Sequence, residues 1–343
     1  MEHIVTTGAN TLAIAAAAVI SNAGATTFVN GNLRRYPPTG TVTGFLLPIG
    51  DAVNYTPVSI DFAGSVTGTG YLDAVVAVPS AAPAAASGLS QTKYVNRKWT
   101  LTNTGITGFT SYAPTFTFVS GDIQGSGTPT AFVIRNYETS AWNATTLGSA
   151  LATSTSATGQ TTFTDFVIGE KTELSVSTQP TNVTICSGNN TTFTAGSTSS
   201  PTPSVLWQRD AGTGAGFVNI TANLDAGTTY SDFNTNTLSL TGSASGLNGY
   251  EYRAVYSNIN GSVNSNTATV TVNAIPVAPS GTAIQNFCSS ASPVVSDISI
   301  SSGTAIQWYD AATGGNLVTS GTALLTNTHY YASQTVSGCE SST

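Results

Sequence analysis

Two stretches of this chain can be laid over one another without reference to any other protein. Cys186 sits in TICSGNNTTFTA and precedes Trp207, in SVLWQRD, by 21 residues; Cys288 sits in NFCSSASPVV and precedes Trp308, in AIQWYDA, by 20. Each stretch then runs into a tyrosine-rich segment, GYEYRAVYSN around Tyr252 and HYYASQTV around Tyr330 and Tyr331. An internal repeat restricts the fold more tightly than composition does, because one unit made twice must fill each copy with its own apolar side chains. The order of strand, Trp and later Tyr strand is that of a two-sheet sandwich in which a Trp on a central strand fills the space between the sheets. Trp207, Trp308 and Tyr252 are therefore expected in the structural core, and stacking of either Trp on a ligand is the lesser reading. Tyr252 lies two residues before Ala254, which places it as a candidate tyrosine corner, with Ala195 and Ala254 facing each other across the sheets.

The rest of the chain agrees with this class. Only 7% of the residues are charged, and 343 residues exceed what a single core usually organises. Gly, Thr, Ser, Asn and Ala dominate, leaving few good helix formers and many adequate strand formers. The expected fold is all-β: tandem Ig-like β-sandwich modules in a string, with a candidate β-solenoid edge at the N-terminus. The expected domains are 1–36, a solenoid-like edge or N-terminal strands; 37–172, a β-sandwich with long loops; and two Ig-like modules, 173–274 and 275–343. In 1–36 the runs Leu12–Ile20 and Thr26–Val29 are punctuated by Gly and Asn as short strands are, and an Ala-rich helix is the alternative. In the sandwich, Val58–Phe62, Leu72–Val78, Lys98–Thr102, Thr115–Val119, Thr130–Ile134 and Thr161–Ile168 read as strands. PSAAPAAASG, Pro79–Gly88, reads as an exposed loop, with a domain linker as alternative. Boundaries are expected at Lys171–Pro180 and at Ile275–Ser280, whose prolines favour extended backbone.

Several function classes fall away. Nine Lys plus Arg against sixteen Asp plus Glu give a net charge of −7 without a basic cluster, so nucleic acid is not an expected partner. The apolar stretch Thr11–Ile20 is too short to span a bilayer as a helix, and the residues before it lack the positive start of a signal peptide. The sequence is thus expected to begin downstream of any leader, as an excised segment would. His3 and His329 have no metal-ligand spacing, the aspartates are single, and no catalytic residue, metal site or cofactor is expected; a calcium site assembled by folding is the residual alternative. GSVTGTG at Gly64–Gly70 lacks the lysine and following helix of a phosphate cradle. Trp142, in YETSAWNATT, reads as lying outside a regular strand and is the candidate ligand contact, able to stack on a sugar; packing under its own loop is the competing reading.

Three cysteines cannot all pair within one chain. Cys288 before the second strand of the last copy and Cys339 after its Tyr strand suggest a disulfide closing about fifty residues, which the chain-entropy model values at about 4 kcal/mol. The matching turn of the first copy, Asn258–Asn264, has no cysteine, so Cys186 is expected as a free, mostly buried thiol. A disulfide fits an extracellular or cell-surface location.

Residues 276–343, with Cys288, WYDAATGG, HYYAS and GCESS, resemble the Ig-like modules repeated in very large cell-surface proteins and adhesins of gliding Bacteroidota. Residues 174–273 resemble a broader class of bacterial Ig-like repeats, and 1–170 a solenoid edge followed by a sandwich. The resemblance implies export by the type IX route and a non-catalytic role as adhesin stalk or scaffold, with other modules of the same protein, copies of itself or a surface glycan as partners. Carbohydrate binding as an accessory part of a polysaccharide-active protein is the alternative. The family's module continues past GCES with a last strand, so the final sandwich is expected to lack that strand, through truncation or through donation by a neighbouring chain in a fibre.

Overall fold

Apolar residues alternating with polar ones generate the architecture of the first 175 residues. The computed structural model describes residues 3–16, 18–78 and 82–343. It divides into two compact units: Met1–Ser175 with the loops Thr198–Pro203 and Ser257–Ser262, and Val176–Ser197 with Ser204–Tyr256 and Val263–Thr343. The chain is an all-β protein of tandem sandwiches.

The strands of the first unit are β1 (Val5–Ile14), β2 (Val29–Arg35), β3 (Gly40–Thr41), β4 (Phe45–Leu47), β5 (Ile49–Gly50), β6 (Val58–Val66) and β7 (Tyr71–Ala77). After a one-turn 3-10 helix at Ala85–Ser87 come β8 (Leu89–Thr104), β9 (Phe109–Thr117), β10 (Phe132–Glu138), β11 (Ala141–Ala144), β12 (Thr146–Leu151), β13 (Ser154–Thr158) and β14 (Asp165–Lys171). One sheet has the order β1-β2-β7-β8-β14-β10-β11, with β5 beside β2; the other runs β12-β13-β9-β6-β3, with β4 beside β6. Period-two burial follows from the pleat: Leu72, Ala74 and Val76 on β7 and Trp99 and Leu101 on β8 face Ile60 and Phe62 on β6 and Tyr112 and Phe116 on β9 in one core. Tyr112 stacks on Phe163 with ring centroids 4.0 Å apart, and its hydroxyl donates to the Thr162 carbonyl at 2.6 Å, which satisfies the one polar group it buries.

The N-terminal segment forms strands that join the large sheet. β1 pairs in parallel with β2, and β2 pairs antiparallel with β7. No solenoid is shown; Val29 and Leu33 are fully buried in the sandwich core, and that apolar stripe ties the segment to the large sheet. The Ala-rich run leaves strand geometry after Ile14, and Ala17 lies outside the described residues. Pro79–Ala81 of the low-complexity stretch also lie outside them; the stretch connects β7 to β8, which pair directly from Tyr71↔Thr104 to Ala77↔Lys98. At its end Gly88 adopts φ +68°, and a Cβ there would come 2.5 Å from Ile259 Cγ2 within the same unit, so no larger residue fits.

In the second unit, Val183–Cys186 runs parallel to Ala268–Asn273, followed across the sheet by Glu251–Asn258, Ser204–Asp210 and Val218–Asn219. The opposing sheet has Thr191–Thr194, Thr237–Thr241 and Thr229–Ser231. Trp207 is fully buried between them, its indole N–H donating to the Thr235 carbonyl at 2.9 Å. Tyr252 is fully buried and stacks on Phe193 at 4.8 Å; Ala195 and Ala254 are buried as well. The Tyr252 hydroxyl meets that of Tyr230 at 3.1 Å, in contrast to the backbone partner of a tyrosine corner.

Beyond the linker, Ile306–Tyr309 pairs with Leu317–Val318 and with Tyr331–Val336, which turns into Cys339–Glu340. Trp308 sits opposite Ala332 and Val318 and is only half-buried, a correction to its expected place in a closed core. The physical reason is scarcity of covering side chains: the buried apolar residues described in this segment are Val295 and Cys339, while Ile284, Leu317 and Leu325 are more than 60% exposed.

Candidate functional site

The first feature with functional content is covalent. Strand Val183–Cys186 ends in register with Asn273, the last residue of its parallel neighbour. The two-residue turn Ser337–Gly338, both at positive φ (51° and 82°), sets Cys339 at the start of its short strand, opposite Val336. Asn273 Nδ2 donates to the Ser337 carbonyl at 2.8 Å, holding that turn at the end of the parallel pair. There Cys186 and Cys339 are bonded, Cα to Cα 5.6 Å. This corrects both cysteine expectations: Cys186 is not a free thiol, and Cys339 is not paired with Cys288, which is free and exposed beside the 3-10 turn Ser289–Ala291. Aligning the copies on each other confined every bond to one module. The cue available in the sequence was the odd cysteine of the first copy, which lacked a partner in its own module.

The second feature is a hairpin at the edge of the large sheet of the first unit. Trp142 lies inside strand β11, opposite Tyr137 of β10, where sequence reading placed it outside a strand. The rings are 5.0 Å apart and inclined at 55°; Trp142 is half-buried and Tyr137 is 39% exposed. The pair stands on the outer face because the inward positions of β10 are Phe132, Ile134 and Asn136. The turn is made by Thr139 and Ser140 at φ 50° and 65°, a conformation that Asn and Gly adopt readily and a β-branched Thr does not. Further along the same outer face, Arg135 is buried and donates to the carbonyls of Ser87 and Ile134 and to Asn260 Oδ1 at 2.6 Å, all within this unit.

Two ionic clusters, one around a buried arginine and one partly buried, were not anticipated. Arg97 occupies an inward position of β8 between Val95 and Trp99, where alternation calls for an apolar side chain. It forms a two-pronged pair with Asp122 (2.5 and 2.7 Å) and reaches Asp51 at 2.6 Å. Burial alone would lower its pKa, but the hydrogen bonds to Asp122 and Asp51 outweigh burial and raise it, so the cation is locked. Burial would raise Asp51, yet the Val53 and Asn54 amides and Arg97 hold it below the usual carboxylate range. In the second unit, Arg209 forks onto Asp225 (3.0 and 2.7 Å) and the Tyr230 hydroxyl donates to Asp225 at 2.7 Å. Burial first, and then Tyr252 and Asp225, push the Tyr230 phenol far above its ordinary range, keeping it a neutral donor. Both clusters are hydrogen-bonded networks that hold strands and loops together.

Among the described residues no group of three or more His, Cys, Asp and Glu side chains is arranged to hold a metal ion, and no helix is long and apolar enough to cross a membrane. A shallow depression over Asn190–Thr192 and Ser239–Thr241 is lined by hydroxyl, amide and leucine side chains.

A search of curated proteins returned no match to this chain. The family model described as "Ig-like domain CHU_C associated" matches residues 276–343. Domains of this family are generally non-catalytic, and CHU_C is itself a C-terminal family of type IX secretion. The final segment of this chain is thus an Ig-like module similar to those of Bacteroidota surface proteins.

Proposed function

We propose that the chain is a non-catalytic extracellular segment of a bacterial surface protein, exported by the type IX route, in which sandwich modules act as a stalk or scaffold for other modules of the same protein. The observation that carries this reading is the bond between Cys186 and Cys339, which ties two Ig-like modules together and persists in an oxidising, extracellular setting. Protease treatment of intact cells of the source bacterium tests it. The segment is expected to be cleaved and antibody-accessible without permeabilisation, and to lose that exposure when the type IX machinery is disabled. Protection in intact wild-type cells contradicts the reading.

A second reading, carbohydrate binding, rests on the Tyr137–Trp142 pair, because an exposed aromatic surface can stack on the apolar face of a pyranose. A glycan array decides between the two. Binding that disappears with Trp142→Ala favours a lectin role, and an array without signal removes it.

A further inference from the structure

We infer that the Cys186–Cys339 bond is a mechanical bypass that keeps the last Ig-like module, and all of the preceding one beyond its first strands, out of the load path when the chain is under tension. This rests on the stalk reading only for its biological use; the load path itself follows from the covalent connectivity. A force applied at the two ends travels along bonds, and where a disulfide joins distant residues it takes the short route. Tension entering the second unit along Val176–Cys186 leaves through Cys339, and the chain between them, a sequence separation of 153, carries none of it.

The placement matters because of what lies inside the loop. The last module, with Val295 and Cys339 as its described buried apolar residues and Trp308 half-buried, has the weakest packing in the chain. In a simple series arrangement it would open first, since few apolar contacts must break before its backbone pairs reach water. Inside the bypass it bears no load. Of the preceding Ig-like module only strands Ser175–Thr178 and Val183–Cys186 lie on the load path, and the second is held lengthwise by its parallel neighbour Ala268–Asn273. The load therefore falls on the first unit, whose core draws on both sheets of its sandwich.

The bond's position also fixes a number that can be read out. The two Cα atoms are 5.6 Å apart in the folded chain. Breaking the bond and unfolding the loop releases nearly its whole contour, roughly 500–550 Å at about 3.3–3.6 Å per residue.

The experiment is single-molecule stretching of the full chain held at its ends, before and after a phosphine reductant, on wild type, Cys288→Ser and Cys186→Ser. The total unfolded length of oxidised wild type and of Cys288→Ser is expected to be shorter than after reduction by that full amount, and Cys186→Ser to show no such difference. An increment of roughly 170–180 Å, lost in Cys288→Ser, would mean that Cys339 pairs with Cys288 and would overturn the bypass. Equal lengths before and after reduction in wild type would overturn it too. Neither failure touches the surface location, which the protease assay reads separately.

Discussion

The two Ig-like modules carry the same Cys–Trp–Tyr signature and fill it differently. In the first, Phe193, Trp207, Tyr230, Leu238, Tyr252 and Val270 are at most 1% exposed, and Arg209, Asp225 and two tyrosine hydroxyls form a closed polar network beneath them. In the second, the strand that carries a half-buried Trp308 again lies between a short strand and the Tyr strand, but in a sheet of four strands, and its polar contacts, Tyr309 to Glu340 at 2.6 Å and Asp310 to Asn316 at 2.9 Å, lie in solvent. A shared signature therefore specifies where strands go and which residue anchors the middle. It does not guarantee enough surrounding apolar surface to make the module self-sufficient. Small modules with thin cores rely on staples, and here the staple reaches out of the module to Cys186.

The largest expected difference between the modules is in truncation of their tryptophans. Trp207→Ala is expected to cost about 3–5 kcal/mol, the range for a fully buried Trp that leaves a cavity. Trp308→Ala, which removes a side chain already in partial contact with water, is expected to cost about 1–2 kcal/mol. Denaturant midpoints of the two variants measure this, and equal losses would show that the modules are packed alike.

The polar networks give the next effect. Asp225→Asn takes away the charge under Arg209 and one acceptor of the Tyr230 hydroxyl, with an expected loss of about 2–3 kcal/mol. Glu340→Gln alters the exposed counterpart and is expected to lower the midpoint far less. A comparable shift in both would remove the contrast between a buried and a solvated network.

The smallest effect is in acid. Hydrogen bonds from Ser333 and Tyr309 hold the Glu340 carboxyl below its ordinary range, and the Asn316 side chain and amide do the same for Asp310. A carboxyl lowered on folding contributes stability that is fully present above its unfolded pKa and is lost as pH falls through the folded one. Hydrogen exchange in residues 276–343 should therefore rise modestly below the usual carboxylate range, less so in Glu340→Gln. A profile unchanged by that substitution would deny Glu340 this role.

Much of the fold was legible because burial in a sandwich writes itself as period two. Val58–Phe62 and Leu72–Val78 fall almost wholly within observed strands, and the spacing of Cys, Trp and Tyr marked the second unit as Ig-like. Strand ends were less so: Lys98–Thr102 is part of a sixteen-residue strand whose remainder carries polar residues, and Arg97 sits inward only because Asp122 and Asp51 arrive from distant loops. The N-terminal strand alternates only at its end, where Leu12 and Ile14 pack against the core beside Val29 and Leu33 of the next strand. Trp142 hid its strand behind a Thr139–Ser140 turn that lacks the usual Asn-Gly marker. The disulfide was half legible: the odd cysteine of the first copy signalled a bond leaving its module, but its partner depends on how two folded bodies meet, which no local pattern encodes.

Disulfide mapping decides whether the bond joins the two modules. Free thiols are alkylated on the native chain, which is then digested without reduction and analysed by mass spectrometry. One cross-linked pair of peptides is expected, containing Cys186 and Cys339, with the alkyl group on Cys288. A cross-link between Cys288 and Cys339 with Cys186 alkylated would contradict it.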